Sequence, residues 1–270
     1  MSTDERGLLD ALSAHVLRPL PSFALQARGG MHLTTLAGVP LLDWSGLSDS
    51  RLLPSLEGAW PEPAPAFQMP EAPTEALLEG LRAYRDAAPC GLRGDVQLFG
   101  SASEAVEAMV LAFTHLFVER DRQRRAPPRF VCFEGACHGR SWVGQGLSSL
   151  PQASPQERTV AACFGARLQL PWPDSDEALR TVESMVALHH EEIAGVLVEP
   201  LQSIGGMRVL PRDALIALSL LCHRYALPLG LDEAETGGGL TGTLFAVDAL
   251  GLPHPPFAVV GGKRLAQLFG

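Results

Sequence analysis

Asp232 and Lys263 are the residues of this 270-residue chain whose placement points most directly to chemistry. Asp232 stands near the end of the apolar run Leu-Pro-Leu-Gly-Leu-Asp-Glu at 227–233, and Lys263 closes Phe-Ala-Val-Val-Gly-Gly-Lys at 257–263. Each run reads as a buried strand, which puts both side chains at the carboxyl ends of strands, where open α/β sheets place their sites. A lysine amine there can hold an aldehyde as a Schiff base, and a buried carboxylate can keep a proton on an aromatic ring nitrogen. Taken alone, each residue also has a plainer reading: the acid as a helix cap, the lysine as a loop residue after Gly-Gly.

Three further segments carry candidate chemistry. Gly100-Ser101-Ala102-Ser103-Glu104-Ala105 joins a strand candidate to a helix. Its small residues admit a ligand to the backbone, and the first helical amides are unpaired donors at the positive end of the dipole, which makes a phosphate cradle. On their own the same residues read more simply as a capping box from Ser101 to Glu104. Cys137-His138-Gly139-Arg140-Ser141 follows the apolar run RFVCFE. Cys137 and His138 do not suit a nucleophile and its base, because adjacent residues of an extended chain point to opposite sides. Glu199-Pro200-Leu201-Gln202, then Gly205-Gly206, follows IAGVLV and reads either as a strand end with a proline turn or as a site acid.

Other chemistries fail on spacing. Gly262-Lys263 is no P-loop, since Phe257 stands where the first glycine belongs and Arg264 where Ser or Thr belongs. His189-His190-Glu191-Glu192 lacks the second histidine of HExxH, Ala194 being in its place, so no metal site is expected and a solvated helix end is the better reading. The two-glycine dinucleotide fingerprint is missing after every expected strand.

The elements that must position these residues alternate in type. Helices are expected over 74–87, from Ser103 to about Arg120, and over 212–225. Strands are expected at 96–99, 129–133, 193–199, 227–232 and 257–261. In the second helix Val106, Met109, Val110, Phe113 and Phe117 share one face. Short apolar runs alternating with helices imply an α/β fold, a mainly parallel sheet with helices on both faces. Before it, residues 27–46 read as two short strands about a turn at Ala37-Gly38, and a Pro-rich stretch from Pro54 to Pro73 separates this arm from the rest. The expected division is an arm and linker at 1–73 and an α/β domain at 74–270.

A net charge of −9, from 21 basic and 30 acidic residues, argues against a nucleic-acid partner. The basic run from Arg120 to Arg129 reads as a solvated helix end and loop. No segment approaches the roughly 18 uninterrupted apolar residues of a membrane helix. Five cysteines without a CxxC pair argue against a disulfide framework. With an acidic start that lacks the basic leader and apolar core of a signal peptide, a cytoplasmic setting is expected.

Asp232-Glu233-Ala234-Glu235-Thr236-Gly237 and the glycines that follow resemble the D-E-V-Q-T-G-x-G-x-T-G signature of class III aminotransferases, pyridoxal phosphate (PLP) enzymes of fold type I. Gly239-Leu240-Thr241-Gly242-Thr243 is most similar to the lysine 6-aminotransferase branch. The resemblance runs from about Gly29 to Lys263, with Leu42-Asp43-Trp44 matching the family's arm, and it implies roles residue by residue. Lys263 would hold PLP and shuttle the Cα proton, and Asp232 would pair with the pyridinium nitrogen. Ser101, Ala102 and Ser103 match the family's S-G-T segment, whose backbone and hydroxyl hold the phosphate. Cys137 and His138 fall in its aromatic-H-G-R motif, Ala234 packs on the ring, and Glu235 reaches the phenolic oxygen. Glu199 and Gln202 lie in its E-P-x-Q-x-x-G-G segment, toward the substrate.

The family also implies a homodimer acting on an amino acid, lysine or another ω-amino donor, and a keto acid. Three departures bear on activity. Glu235 replaces a glutamine, and an ionised carboxylate cannot donate to a phenolate. Cys137 replaces the aromatic that stacks on the ring. The chain runs seven residues past Lys263, whereas the family continues into a C-terminal domain, which a second chain could supply. The expectation is therefore an impaired aminotransferase with a truncated large domain. The alternatives are a non-catalytic relative that binds a partner, and another PLP reaction such as isomerisation or decarboxylation.

Overall fold

In the computed structural model, the described residues are 85–121 and 127–262, with 79, 82 and 83 and the backbone of three short strands nearer the start. The chain separates into two compact units, Met1–Ala64 and Pro65–Gly270. The expected boundary after Pro73 falls outside the described residues.

In the first unit β1 (Leu25–Gly29), β2 (His32–Thr35) and β3 (Pro40–Leu42) form an antiparallel sheet in that order. β2 and β3 bracket Ala37-Gly38, where the turn is expected, and pair antiparallel, His32 opposite Leu42. β1 adds a strand to the expected pair.

The second unit is built on a five-stranded sheet in the order β10-β9-β6-β4-β5. Its strands are β4 (Arg129–Phe133), β5 (Arg167–Leu170), β6 (Ile193–Val198), β9 (Leu229–Glu233) and β10 (Ala258–Gly261). Every pairing within it is parallel. A small antiparallel hairpin, β7 (Leu201–Gln202) with β8 (Arg208–Val209), follows β6. The chain leaves β4 toward β5 on one side and then crosses to β6 on the other, so the sheet reverses its order at β4. The crevice at such a reversal is where α/β sheets bind ligands.

Two apolar clusters cover the two faces, as the α/β reading requires. On one face α1 (Ala102–Arg120) and α2 (Trp142–Leu147) pack Val106, Met109, Phe113 and Leu147 against Phe130, Cys132 and Leu197. On the other, α4 (Asp176–His189) and α5 (Arg212–Arg224) pack Val182, Val186, Leu215 and Leu218 against Val131, Phe133, Val196 and Leu231. The alternation along β4 is the period-two signature of a strand buried on both faces. All five residues of the predicted apolar stripe on α1 are buried.

Gly195 and Gly230 let α1 lie close to the sheet. A Cβ on Gly195 would stand 2.1 Å from the Phe113 ring, and one on Gly230 would stand 2.5 Å from Met109 Sδ. That approach helps set the start of α1 above the carboxyl ends of β9 and β10, as Ala102 meeting Gly262 records below.

Two expectations need correction or completion. Val96–Phe99 is not a strand; it joins no ladder among the described residues, and Leu98 and Phe99 are exposed. Strand propensity describes a fit to a paired, half-buried surface, and this run has none. The expected helix over 74–87 is described only at 79, 82, 83, 85 and 86, all helical, before a turn at Ala87. Among the elements that no clear apolar run announces are the edge strand β5, α2, the β7–β8 hairpin, and α3 (Pro155–Cys163), which has no buried residue but a full capping box between Ser154 and Glu157; of α4 only its end near His189 is expected from the sequence.

Candidate active site

The carboxyl ends of β4, β6, β9 and β10 and the start of α1 meet on one side of the sheet. Asp232, on β9, is 5% exposed and sits in a pair with His138 from the loop after β4, itself 1% exposed. His138 Nδ1 lies 2.9 Å from Asp232 Oδ2. A carboxylate only accepts, so Nδ1 carries the proton and donates. Asp232 Oδ1 accepts from the Ala234 backbone N–H at 3.1 Å. Two of about four lone-pair positions are thus used, which leaves the carboxylate able to meet one more donor.

Glu199, just past β6 and 4% exposed, accepts through Oε2 from the Cys137 N–H at 3.0 Å. This contact joins the ends of β6 and β4 at the reversal of strand order. Burial raises the Glu199 carboxyl to about 8; the Asp232 and Glu235 charges push the same way, while His138 and the Cys137 amide pull against them. Burial opposes charge on His138, but its hydrogen bond to Asp232 and the charges of Glu199 and Asp232 outweigh that and hold its pKa above the ordinary value. Nε2 of His138 is buried with no hydrogen-bond partner among the described residues.

Both shifts have the same consequence for stability. The folded chain holds a proton on Glu199 that the unfolded chain releases near the ordinary carboxyl value, so stability falls as pH rises from about 4.5 to about 8. The contribution of His138 is complete below about 6.5 and is lost as pH rises through its raised value. Glu199→Gln keeps an acceptor for Cys137 but removes the titrating group. Its melting temperature should fall less than that of the unaltered chain between about pH 5 and 8.5. Equal falls would mean that Glu199 titrates normally.

The start of α1 is tied to the same loop. Ser101 caps the helix, accepting from the Glu104 N–H at 3.3 Å, the forward half of the predicted box. Ser103 Oγ accepts from the Arg140 N–H at 3.0 Å, and a Cβ on Gly139, at φ +119°, would stand 2.6 Å from that oxygen. Glycine is required there on both counts. A Cβ on Gly262 would meet the Ala234 carbonyl at 2.9 Å and the Ala102 Cβ at 3.2 Å. Ala102 from the cradle, Ala234 from the signature and the residue before Lys263 therefore come together. Lys263 itself lies outside the described residues.

Of the other predicted residues, Ser101 is exposed, while Ala102, Ser103, Cys137, Ala234 and Glu235 are half-buried. Glu235 is close enough for its charge to act on Glu199. Gln202 is buried, but its Oε1 accepts from Arg208 Nη2 at 2.5 Å, so its bonding runs to the β7–β8 hairpin.

Sequence reasoning assigned no part to Glu233, which is fully buried. It accepts from Thr236 Oγ1 at 2.9 Å and from the N–H groups of Ala246 and Val247 at 2.6 and 2.9 Å. Back to back with Asp232, it ties the glycine-rich loop to β9. The Asp-Glu pair was visible in the sequence, but the loop amides it holds, 13 and 14 residues away, were not.

The described cysteines are all free, and no described helix is long and apolar enough to cross a membrane. The sequence profile of the family Aminotransferase class-III matches residues 68–268. An acetylornithine aminotransferase of Brucella melitensis is 33% identical over 167 residues, covering 60% of this chain and 37% of the relative. A 5-aminovalerate aminotransferase of Pseudomonas putida is 31% identical over 150 residues, covering 52% and 35%. The chain thus spans little more than a third of the length of these curated relatives.

Among solved structures, an omega-aminotransferase from Paracoccus denitrificans superposes with a TM-score of 0.72 at 17% identity, covering 100% of this chain and 68% of that one. A lysine aminotransferase from M. tuberculosis gives 0.66 at 23% identity, covering 96% and 66%. At such identities the structures speak to the fold alone, and that fold is the fold type I α/β architecture anticipated from the sequence. With the profile covering most of its length, the chain belongs to the class III aminotransferase family.

Proposed function

We propose that this chain binds pyridoxal phosphate and moves an amino group from an ω-amino donor, lysine or a similar amino acid, to a keto acid. The observation that supports this best is the meeting of Ala102, Ala234 and Gly262 beside the buried Asp232–His138 pair. Small side chains there let the cradle, the signature loop and the chain before Lys263 close on one another, and the carboxylate retains capacity for one more donor.

Several residues would each take a part in holding the cofactor. Asp232 would keep a proton on the ring nitrogen, itself fixed by His138 and the Ala234 N–H. The first amides of α1 at Ala102 and Ser103, with the Ser101 hydroxyl, would hold the phosphate at the positive end of a 19-residue helix. Lys263, directly after Gly262, would hold the aldehyde carbon and then act as the base that moves the Cα proton. Bound there, the cofactor supplies an electron sink that lets the Cα–H bond of an amino acid ionise.

Glu199 works on the floor of this site. Burial pushes its carboxyl well above the ordinary range, which disfavours a second negative charge beside Asp232. Glu235, at the position of the family's glutamine, approaches the same floor and supplies an acceptor where an amide could donate. We take the working form to be a homodimer, on the strength of the family resemblance.

The test is a single-turnover experiment on the PLP-loaded chain, following loss of the cofactor's visible absorbance on addition of lysine, ornithine or 5-aminovalerate. The proposal expects conversion with at least one of these and recovery on adding a keto acid. Loss of carbon dioxide, or a rearranged amino acid in place of a keto product, would assign a different PLP reaction.

A further inference from the structure

We propose that the cleft between α3, β5 and the β7–β8 hairpin binds a small organic phosphate monoester. This cleft, about 630 Å3, is separate from the Asp232 cluster, which contributes none of its own side chains to the lining. Its size falls in the range of small-molecule sites.

The charges in it are unequal. Arg140, Arg158, Arg167 and Arg208 face Glu134 and Glu157. Arg140 is paired with Glu157 at 2.6 Å. Among the described residues the other three arginines have no carboxylate partner. Arg167 donates to the Ser148 carbonyl, and Arg208 donates to the Glu134 carbonyl and to Gln202 Oε1. Neutral acceptors orient a guanidinium without cancelling its charge, and each guanidinium has five N–H donors. Arg208 is further fixed by the Trp172 ring, 5.2 Å from its Cζ.

Room for these arginines is built into the backbone. Gly135, at φ +82°, would place a Cβ 2.0 Å from Arg208 Nη2, and Gly205 would place one 2.2 Å from the Gly135 carbonyl. A planar fork of donors with uncancelled charge is matched by the oxygens of a phosphate dianion. Leu150, Pro151, Ala153, Ala161 and Ala162 add apolar lining that exceeds what a bare phosphate could use. It suits the organic part of a monoester.

The cleft also reaches the first site. Arg167 holds the carbonyl of Ser148, whose hydroxyl accepts from the His138 N–H at 2.9 Å, and His138 holds Asp232.

The experiment is calorimetric titration of the full chain with phenyl phosphate and, separately, inorganic phosphate, with and without one equivalent of PLP. Phenyl phosphate should bind about tenfold more tightly than inorganic phosphate, through burial of the ring on the apolar wall. With one equivalent of PLP already bound, one equivalent of phenyl phosphate should still bind, which excludes competition for the start of α1. Arg158→Gln, at an exposed helical position, and Arg167→Gln should each weaken it by about tenfold, the loss of a charge-assisted hydrogen bond. Binding of neither probe, equal affinity for both, or phenyl phosphate binding that ignores Arg158→Gln would each overturn the proposal. The result does not depend on whether PLP binds, because Arg158→Gln reads the cleft alone.

Discussion

Lys263→Ala is expected to abolish turnover in the single-turnover assay, with a rate loss of roughly 10^3-fold or more, since it removes the residue proposed both to anchor the cofactor and to act as base. The reason lies in the ends of β9 and β10. Val260 pairs in parallel with Asp232 and Gly261 with Glu233, so the chain after Gly261 leaves the sheet next to Asp232. Gly262 then sits against Ala234 and Ala102. The described chain therefore ends, at Gly262, against the signature loop and the cradle of α1, and Lys263 is the next residue in sequence. PLP should still bind to the alanine variant through those groups, but without a covalent link. Retention of ordinary turnover in Lys263→Ala would remove the lysine from the mechanism.

Asp232→Asn should follow, with a loss of roughly 10^2- to 10^3-fold in the same assay and only a modest loss of cofactor affinity. The amide nearly preserves shape, and its oxygen can still accept from either Ala234 or His138. It cannot hold a proton on the ring nitrogen by charge. It also leaves the raised proton affinity of His138 without its main support, so the variant's pH dependence should shift along with its rate. An unchanged rate would mean that the ring nitrogen looks to another group.

Much of this was legible in the sequence because it is local. The bounds of β4 and the buried stripe of α1 follow from apolar period, and the ends of β6 and β9 carry their acids where an apolar run gives way to Pro200 or to the glycine-rich loop. The signature from Asp232 onward identified the family because the whole string, with its order and spacing, is informative.

What was not legible depends on the third dimension. His138 and Asp232 are 94 residues apart, and Cys137 and Glu199 are 62 apart. Only the parallel pairing of β4, β6 and β9 brings them together. β5 escaped notice because Arg167 and Gln169 alternate with its two leucines, as an edge strand requires, so no apolar run marks it. Val96–Phe99 misled for the opposite reason: its residues favour a strand, but no ladder receives them. The arginine cleft is assembled from α3, β5, the loop after β4 and a hairpin, and nothing in the spacing of its residues announces it.

The most direct test of the central claim is borohydride reduction of the PLP-loaded chain followed by peptide mapping. The account predicts a single stable pyridoxyl label on Lys263, absent from Lys263→Ala. A label on another residue, or no label with PLP in excess, would contradict it.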